Sequence, residues 1–249
     1  MEEENKVQYT FYGKVYPERS NVSIKKIHAI VRTHDDTIRG ELDYYISVSQ
    51  VIARFVCENT VENIYSLKNM IEDIVRIALD ALGYTKGCGY DLEITVMTDS
   101  LCNPPIVFGV SIPAIERSAD NAGVSFKDIM EIFKDVRGAY LRRSLADLRE
   151  AIRVPKDTGF FCFRAIESLR QFFVREKGKK KKSSSWQMLR TELGVERADI
   201  EVVQELADSV RHGGDSGISD SERAKTFEIT WGIINKFIKY AKADYQNKN

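Results

Sequence analysis

The chain has 249 residues, 43% of them hydrophobic and 30% charged, a composition typical of a globular protein with one large core or two smaller ones. No apolar run is long enough to cross a bilayer, and the acidic start has no apolar segment behind it, so we expect neither a membrane protein nor a secretory signal. The four cysteines are widely spaced and predict neither a zinc site nor a disulfide framework, which favours a reducing cytoplasm.

The formal net charge of zero conceals a difference between the two halves of the chain. Residues 1–120 contain 12 Lys and Arg against 18 Asp and Glu, whereas residues 121–249 contain 25 against 19. Opposite net charges favour one of two arrangements. Either two domains attract each other, or the second half is built to meet an anion.

The first third of the chain alternates apolar and polar residues with the period of two that is typical of half-buried strands. This pattern covers residues 7–15, 21–32 and 38–57, and the last run is long enough for one bent strand or two short ones. Apolar residues then recur every three or four positions over 61–83, which predicts an amphipathic helix, and alternation returns over 91–97. We expect an antiparallel sheet with one helix packed across it.

From Ser125 onward the pattern is helical. Ser125 with Asp128, and Ser219 with Glu222, have the spacing of a helix capping box. Five helices are predicted, the first of them long or kinked, over residues 126–153, 157–177, 186–193, 197–212 and from 219 toward the end of the chain. The predicted fold class is α+β, with an α+β domain over residues 1–120 and an all-helical bundle over residues 125–249.

One helix end in the second half carries an unusual pair, Arg211 and His212, directly before Gly213 and Gly214. In one interpretation both side chains are cations at the negative end of the helix dipole, and a glycine forms the C-cap. In the other, the guanidinium holds a phosphate and the imidazole moves a proton, as a metal-independent endoribonuclease requires. Both interpretations stay open.

The layout of the second half resembles the HEPN domains (higher eukaryote and prokaryote nucleotide-binding). The resemblance covers residues 139–245 and rests on short motifs, which are residues 163–170, Trp186, Leu189-Arg190, Asp208 and Arg211-His212-Gly213. It implies a helical bundle that dimerises and binds RNA or a nucleotide, as in bacterial defence, toxin–antitoxin and phage-exclusion proteins. The family's ribonuclease signature is an arginine, a polar residue and a histidine one turn further on. No histidine occurs over 213–219, so His212 is the only base available for cleavage.

Three more charged side chains belong to this hypothesis. Arg164 and Glu167 share one helix face, as do Asp208 and Arg211, and each pair forms either a local ion pair or part of a site. In the sharper interpretation, Glu167 lies across the bundle from Arg211 and orients its guanidinium.

A lysine run lies between two predicted helices and consists of Lys179, Lys180, Lys181 and Lys182. It is either a solvated loop or a set of diffuse phosphate contacts. We expect Arg211→Ala to weaken RNA binding more than any single substitution in this run.

The alternative function is a noncatalytic protein-interaction or dimerisation module with no nucleic-acid role, in which the first domain binds a protein partner. In either case we expect a homodimer through the helical half, because the last helix carries an apolar seam at Phe227, Trp231, Ile234 and Ile238. His28 and His34 have no further ligand spacing around them, so neither a metal nor another cofactor is predicted.

Overall fold

The structure is a computed structural model that describes residues 6–33, 36–109, 115–116, 123–175, 182–211 and 218–246, without the side chains of residues 182, 210–211 and 244–246. The chain divides into two compact units, Met1–Ser111 and Ile112–Asn249. The first unit is a sheet with a helix, and the second is helical. The predicted α+β fold class is therefore confirmed.

The first unit contains a six-stranded sheet in the order β2-β3-β4-β1-β5-β6, in which each neighbouring pair is antiparallel. Its elements are β1 (Val7–Tyr16), β2 (Ile24–Arg32), β3 (Arg39–Ser47), β4 (Gln50–Cys57), α1 (Ile64–Lys86), β5 (Asp91–Asp99) and β6 (Ile106–Val107). The long run at 38–57 is thus two strands, which pair from Ser47 opposite Gln50.

The turn between β3 and β4 explains why that run breaks where it does. Val48 and Ser49 have φ angles of 48° and 62°, and two successive left-handed residues form the two-residue turn that matches the twist of a hairpin. Backbone groups around Ser49 hold the turn in place: its N–H donates to the carbonyl of Val22, and its carbonyl accepts from the N–H of Val15, both at 2.8 Å. The surrounding strands therefore stabilise a turn that carries no glycine.

Helix α1 packs on one face of this sheet. It connects β4 to β5, which run parallel to each other on either side of β1. The side chain of Asn63 caps its start by accepting from the N–H of Ser66, and Gly87 ends it at φ 64°. Its buried residues Leu67, Ile71, Val75 and Leu79 form one core with the inward-facing residues of the strands.

The second unit is a bundle of six helices with described bounds. They are α2 (Phe126–Ile132), α3 (Val136–Arg153), α4 (Thr158–Arg175), α5 (Lys182–Leu193), α6 (Arg197–Arg211) and α7 (Asp220–Gln246). Both predicted capping boxes are present, since Ser125 and Ser219 each exchange bonds with the acidic residue three positions later. The long or kinked helix predicted over 126–153 is two helices: the first ends at Ile132, and Asp135 caps the second by accepting from the N–H of Arg137.

Helix α4 lies at the centre of the bundle and contacts α3, α5, α6 and α7. It runs antiparallel to α3, because Thr158 bonds the carbonyl of Ala151 while Phe172 contacts Tyr140. It runs parallel to α7, because Thr158 also bonds Arg223, and Phe172 contacts Phe237. Gly159 of α4 packs against Leu206 of α6. Helix α6 follows Gly194, whose carbonyl accepts a bond from Lys236 of α7, close to Phe172 along the bundle. Helix α6 therefore runs antiparallel to α4. The C-terminal end of α6 therefore lies at the same end of the bundle as the N-termini of α4 and α7.

Two helical glycines give a matched test of this packing. A Cβ at Gly138 would lie 2.5 Å from the Cα of Phe133 and 2.6 Å from the carbonyl oxygen of Ile132, whereas a Cβ at Gly232 would meet nothing within 4 Å. Alanine normally stabilises a helix interior relative to glycine by roughly 0.5–1 kcal/mol. We expect Gly232→Ala to raise the free energy of unfolding by that amount and Gly138→Ala to lower it by about 1–3 kcal/mol, because α2 must move. Urea unfolding of both variants measures the difference, and equal stabilisation by both would contradict the described α2–α3 junction.

Candidate nucleic-acid interface

Among the described helices of the second unit, the positive charge is concentrated on one pair. Residues 136–175, which form α3, α4 and their connection, contain nine Lys and Arg against four Asp and Glu. Helix α6, which ends at Arg211, contains two Arg against four Asp and Glu. Of the described helices, the α3–α4 pair is therefore the most suited to an anion, and the helix singled out by the sequence motif is acidic.

A groove of about 480 Å³ runs along this hairpin. We call it the arginine groove, and it is lined by Arg143, Ala146 and Asp147 of α3 and by Arg164, Glu167, Ser168 and Gln171 of α4. The spacings of three, four and seven residues place each set on one face of its helix. Because the two helices are antiparallel and in contact over most of their length, these two stripes face one another.

Asp147 forms the floor of the groove. The residue is only 7% exposed, its carboxylate lies 2.9 Å from a terminal nitrogen of Arg164, and it accepts a bond of 3.4 Å from the Ser168 hydroxyl. Burial raises the pKa of Asp147, while Arg164 and Ser168 act in the opposite direction. The groove thus contains a desolvated carboxylate that holds an arginine from the neighbouring helix.

The exposed arginines of the hairpin differ in how they are engaged. The guanidinium of Arg164 is half exposed and lies over the rings of Phe160 and Phe161, at 5.4 and 5.6 Å from their centroids. Arg142 and Arg143 are exposed on α3, and neither has a hydrogen-bond or ion-pair partner among the described residues. Two cations are therefore available to an incoming anion without the loss of an internal contact.

Glu167 is backed by a buried arginine. Its carboxylate lies 3.7 Å from Arg170, whose side chain is 10% exposed. Arg170 donates a bond of 3.0 Å to Ser185 and lies over the ring of Trp186, 5.1 Å from its centroid. The helix α5 therefore fixes Arg170, and Arg170 places a positive charge directly behind the Glu167 carboxylate.

The structure places the predicted site residues at several separate positions. Arg211 is the last residue of α6 and its side chain is not described, while His212 and Lys179–Lys181 lie outside the described residues. Lys182 is the first residue of α5, again without a described side chain. Asp208 is half-buried and accepts a bond of 3.4 Å from Gln204.

The predicted roles of Arg164 and Glu167 change. Arg164 pairs with Asp147 across the hairpin, and Glu167 pairs with Arg170. The predicted local ion pair between Arg164 and Glu167 is therefore wrong. An orienting contact between Glu167 and Arg211 is also unsupported by the helix register. Gly159 of α4 lies beside Leu206 of α6, and the two helices are antiparallel. Glu167 and Arg211 therefore lie on opposite sides of this contact, about 20 Å apart along the helix axes at 1.5 Å per residue.

Sequence reasoning missed the floor of the groove. Asp147 stands in the inward-facing stripe of α3, with Tyr140, Ser144, Leu148 and Ala151, which are all buried. A charged residue at such a position was a usable signal, because Asp is rarely buried without a partner. Its partner Arg164 was singled out for a local spacing that the structure does not use.

Metal and membrane sites find no support in the described ranges. The described residues contain no group of three or more side chains that could hold a metal ion, and His28 instead lies 3.0 Å from the carboxylate of Asp43. None of the helices in the described part of the chain combines the length and apolar character needed to span a bilayer.

Comparison with known sequences identifies the family. Residues 9–108 match the Domain of unknown function (DUF8168) N-terminal domain, and residues 126–242 match the C-terminal domain of the same family. Because both domains occur in order and together cover most of the sequence, the chain belongs to the DUF8168 family. No curated protein and no solved structure matches the chain. The family match neither supports nor contradicts the resemblance to HEPN domains, which stays a prediction.

The pKa of Asp147 gives a test of the groove floor. Because its pKa in the folded protein is raised above 3.8, the native state binds this proton more tightly than the unfolded state. Stability contributed by this group therefore falls as pH rises through the interval above 3.8. We expect Asp147→Asn to be at least as stable as the wild type at pH 7, and its advantage to shrink as pH approaches about 4. Urea unfolding across this range measures the difference, and a loss of stability at pH 7 would show that the pair with Arg164 outweighs burial.

Proposed function

We propose that the helical unit of this protein binds RNA or a nucleotide, as the resemblance to HEPN domains implies, and that the arginine groove is the contact surface. The observation that carries this proposal is the net charge of +5 on residues 136–175, in a unit whose α6 has a net charge of −2. Guanidinium groups bind phosphate through paired charge-assisted bonds, so a surface rich in arginine suits a nucleic-acid backbone.

The α3–α4 hairpin, at the groove and next to it, offers the two kinds of contact that single-stranded RNA uses. Arg142 and Arg143 can each take a phosphate without breaking an internal pair, since both are exposed and unengaged within the described residues. Phe160 and Phe161 stand beside Arg164 and are half-buried. An arginine plane against aromatic rings supplies a stacking surface for an unpaired base.

Cleavage is a separate proposal that concerns the end of α6. If the protein hydrolyses RNA, His212 supplies the base and Arg211 the phosphate contact, without a metal. Arg211 ends α6 at the end of the bundle where α4 and α7 begin, and helix N-termini favour phosphate. Arg223 is also there, bonded to Thr158 and to the carbonyl of Ile152.

The quaternary proposal needs a different surface from the one expected. Phe227, Ile234 and Ile238 are each no more than 5% exposed within a single chain, and Trp231 is half-buried. The apolar seam of the last helix is therefore used inside one bundle. We retain the homodimer as a proposal from the HEPN resemblance, together with a cytoplasmic role in bacterial defence or as a toxin, but not through that seam.

A second candidate function belongs to the first unit. The face of its sheet opposite α1 carries a row of neighbouring side chains, Tyr45, Ile52, Tyr12 and Val96, in four adjacent strands. Tyr12 is 40% exposed. An apolar row on an open sheet face favours a protein partner for this unit, which is the alternative that the sequence left open.

The proposed function is tested by removing the groove arginines. We expect the double variant Arg143→Ala/Arg164→Ala to bind a fluorescein-labelled single-stranded RNA roughly tenfold more weakly than the wild type at low salt. The slope of log affinity against log salt should fall by about 1.4, since about 0.7 is lost for each of the two phosphate contacts on a single strand. Fluorescence anisotropy over a series of salt concentrations measures both quantities.

The matched control is Arg197→Ala/Lys225→Ala, which removes the same charge from exposed positions on α6 and α7. It should bind nearly as well as the wild type. Equal affinity of the groove variant and the wild type would refute the groove. If Arg211→Ala alone abolishes binding, the site lies at the end of α6 instead, and His212→Ala then tests whether any cleavage depends on that histidine.

A further inference from the structure

Two side chains of the arginine groove have no role in holding phosphate. Glu167 and Gln171 are four residues apart on α4, so they lie on one helix face, and both line the groove. Gln171 has no hydrogen-bond partner among the described residues. Glu167 forms one ion pair within the described part of the chain, with Arg170 at 3.7 Å, which exceeds the length of a hydrogen bond. Their donors and acceptors are therefore available to a ligand.

The fixed direction of the Glu167 carboxylate matters for recognition. Arg170 is buried, bonded to Ser185 and stacked on Trp186, so it cannot follow Glu167 into solvent. Its charge, 3.7 Å from one carboxylate oxygen, favours a position of Glu167 at the groove wall. A side chain that recognises a base edge needs such support, because ordering a mobile carboxylate costs conformational entropy that a weak ligand does not offset.

The pattern of these groups matches one nucleobase. A carboxylate offers two acceptors side by side, and an amide offers a donor next to them. Guanine presents two adjacent N–H donors, at N1 and at the 2-amino group, beside the O6 acceptor. Adenine and cytosine present one amino donor beside an acceptor, and uracil presents one N–H between two acceptors. Only guanine satisfies both oxygens of Glu167 and the amide of Gln171 together.

We propose that the arginine groove is a guanine-reading subsite, in which Glu167 accepts from N1–H and the 2-amino group and Gln171 donates to O6. Arg143 and Arg164 hold the adjoining phosphates. The groove volume of about 480 Å³ lies within the range of small-molecule ligand sites. This inference rests on the proposed function and adds to it a preference for one base.

The test compares three labelled single-stranded RNAs of equal length: all adenine, the same chain with one central guanine, and the same chain with one central inosine, which lacks the 2-amino group. We expect the wild type to bind the guanine chain roughly 5- to 150-fold more tightly than the adenine chain, the discrimination of one bidentate base contact. The inosine chain should fall between them.

Glu167→Gln should abolish this preference, so that the guanine and adenine chains bind with equal affinity. Gln171→Ala should reduce the preference in part, and this variant is safe for folding because Gln171 has no partner among the described residues. The control is Glu201→Gln on α6, which removes an exposed carboxylate that is also paired with an arginine. Circular dichroism and thermal unfolding confirm that each variant is folded.

The outcomes separate this inference from the proposed function. Equal binding of the guanine and adenine chains by the wild type overturns guanine reading and leaves RNA binding standing. A guanine preference that survives in Glu167→Gln also overturns it, because the base is then read elsewhere. Absence of binding to all three chains overturns both the proposed function and this subsite.

Discussion

Phe172 is the side chain on which the geometry of the helical unit depends. Its ring lies against Tyr140 of α3, Phe173 of α4, and Phe237 and Tyr240 of α7, all in edge-to-face arrangements. Such aromatic pairs add about 0.5–1.5 kcal/mol each beyond the area they bury, so the cluster favours one alignment of three helices. The groove follows from that alignment. With Tyr140 opposite Phe172 in an antiparallel pair, the chain places Asp147 opposite Arg164 two turns further along α3.

The alignment of helices in the packed bundle also separates the features that the sequence could predict from those that it could not. Period-two and period-three/four patterns gave the α+β class, the sheet with its helix and both capping boxes, because these depend on neighbours within a few residues. The break between α2 and α3 was missed because apolar spacing continues across it. Asp135 caps the new helix by accepting from the N–H of Arg137. Arg137 is buried, and its guanidinium donates a bond of 3.2 Å to the carbonyl of Ala241 in α7. That partner is 104 residues away in sequence.

The candidate site was harder to predict than the fold for a related reason. Arg211 and His212 attracted attention because they are adjacent in sequence, whereas the groove is assembled from helices whose contacts are visible only once they are packed. Arg164 was predicted to pair with a residue three positions away, whereas it pairs with Asp147 on the neighbouring helix. Arg164 can form an ion pair either with a residue of its own helix or with one across the helix interface. Asp147 forms the stronger pair because it is desolvated, and water screens its charge less.

The position of Asp147 is informative for the same physical reason. An apolar side chain in the inward stripe of α3 would contribute packing, and replacing a buried ion pair by apolar residues is often neutral or stabilising. Burial raises the pKa of this carboxylate, so its ionised form works against folding, and the half-exposed Arg164 offsets only part of that cost. Asp147 therefore lowers the stability of the groove floor, but it holds the Arg164 guanidinium beside the Phe160 ring. An arginine fixed in this way has little side-chain entropy left to lose when a phosphate binds.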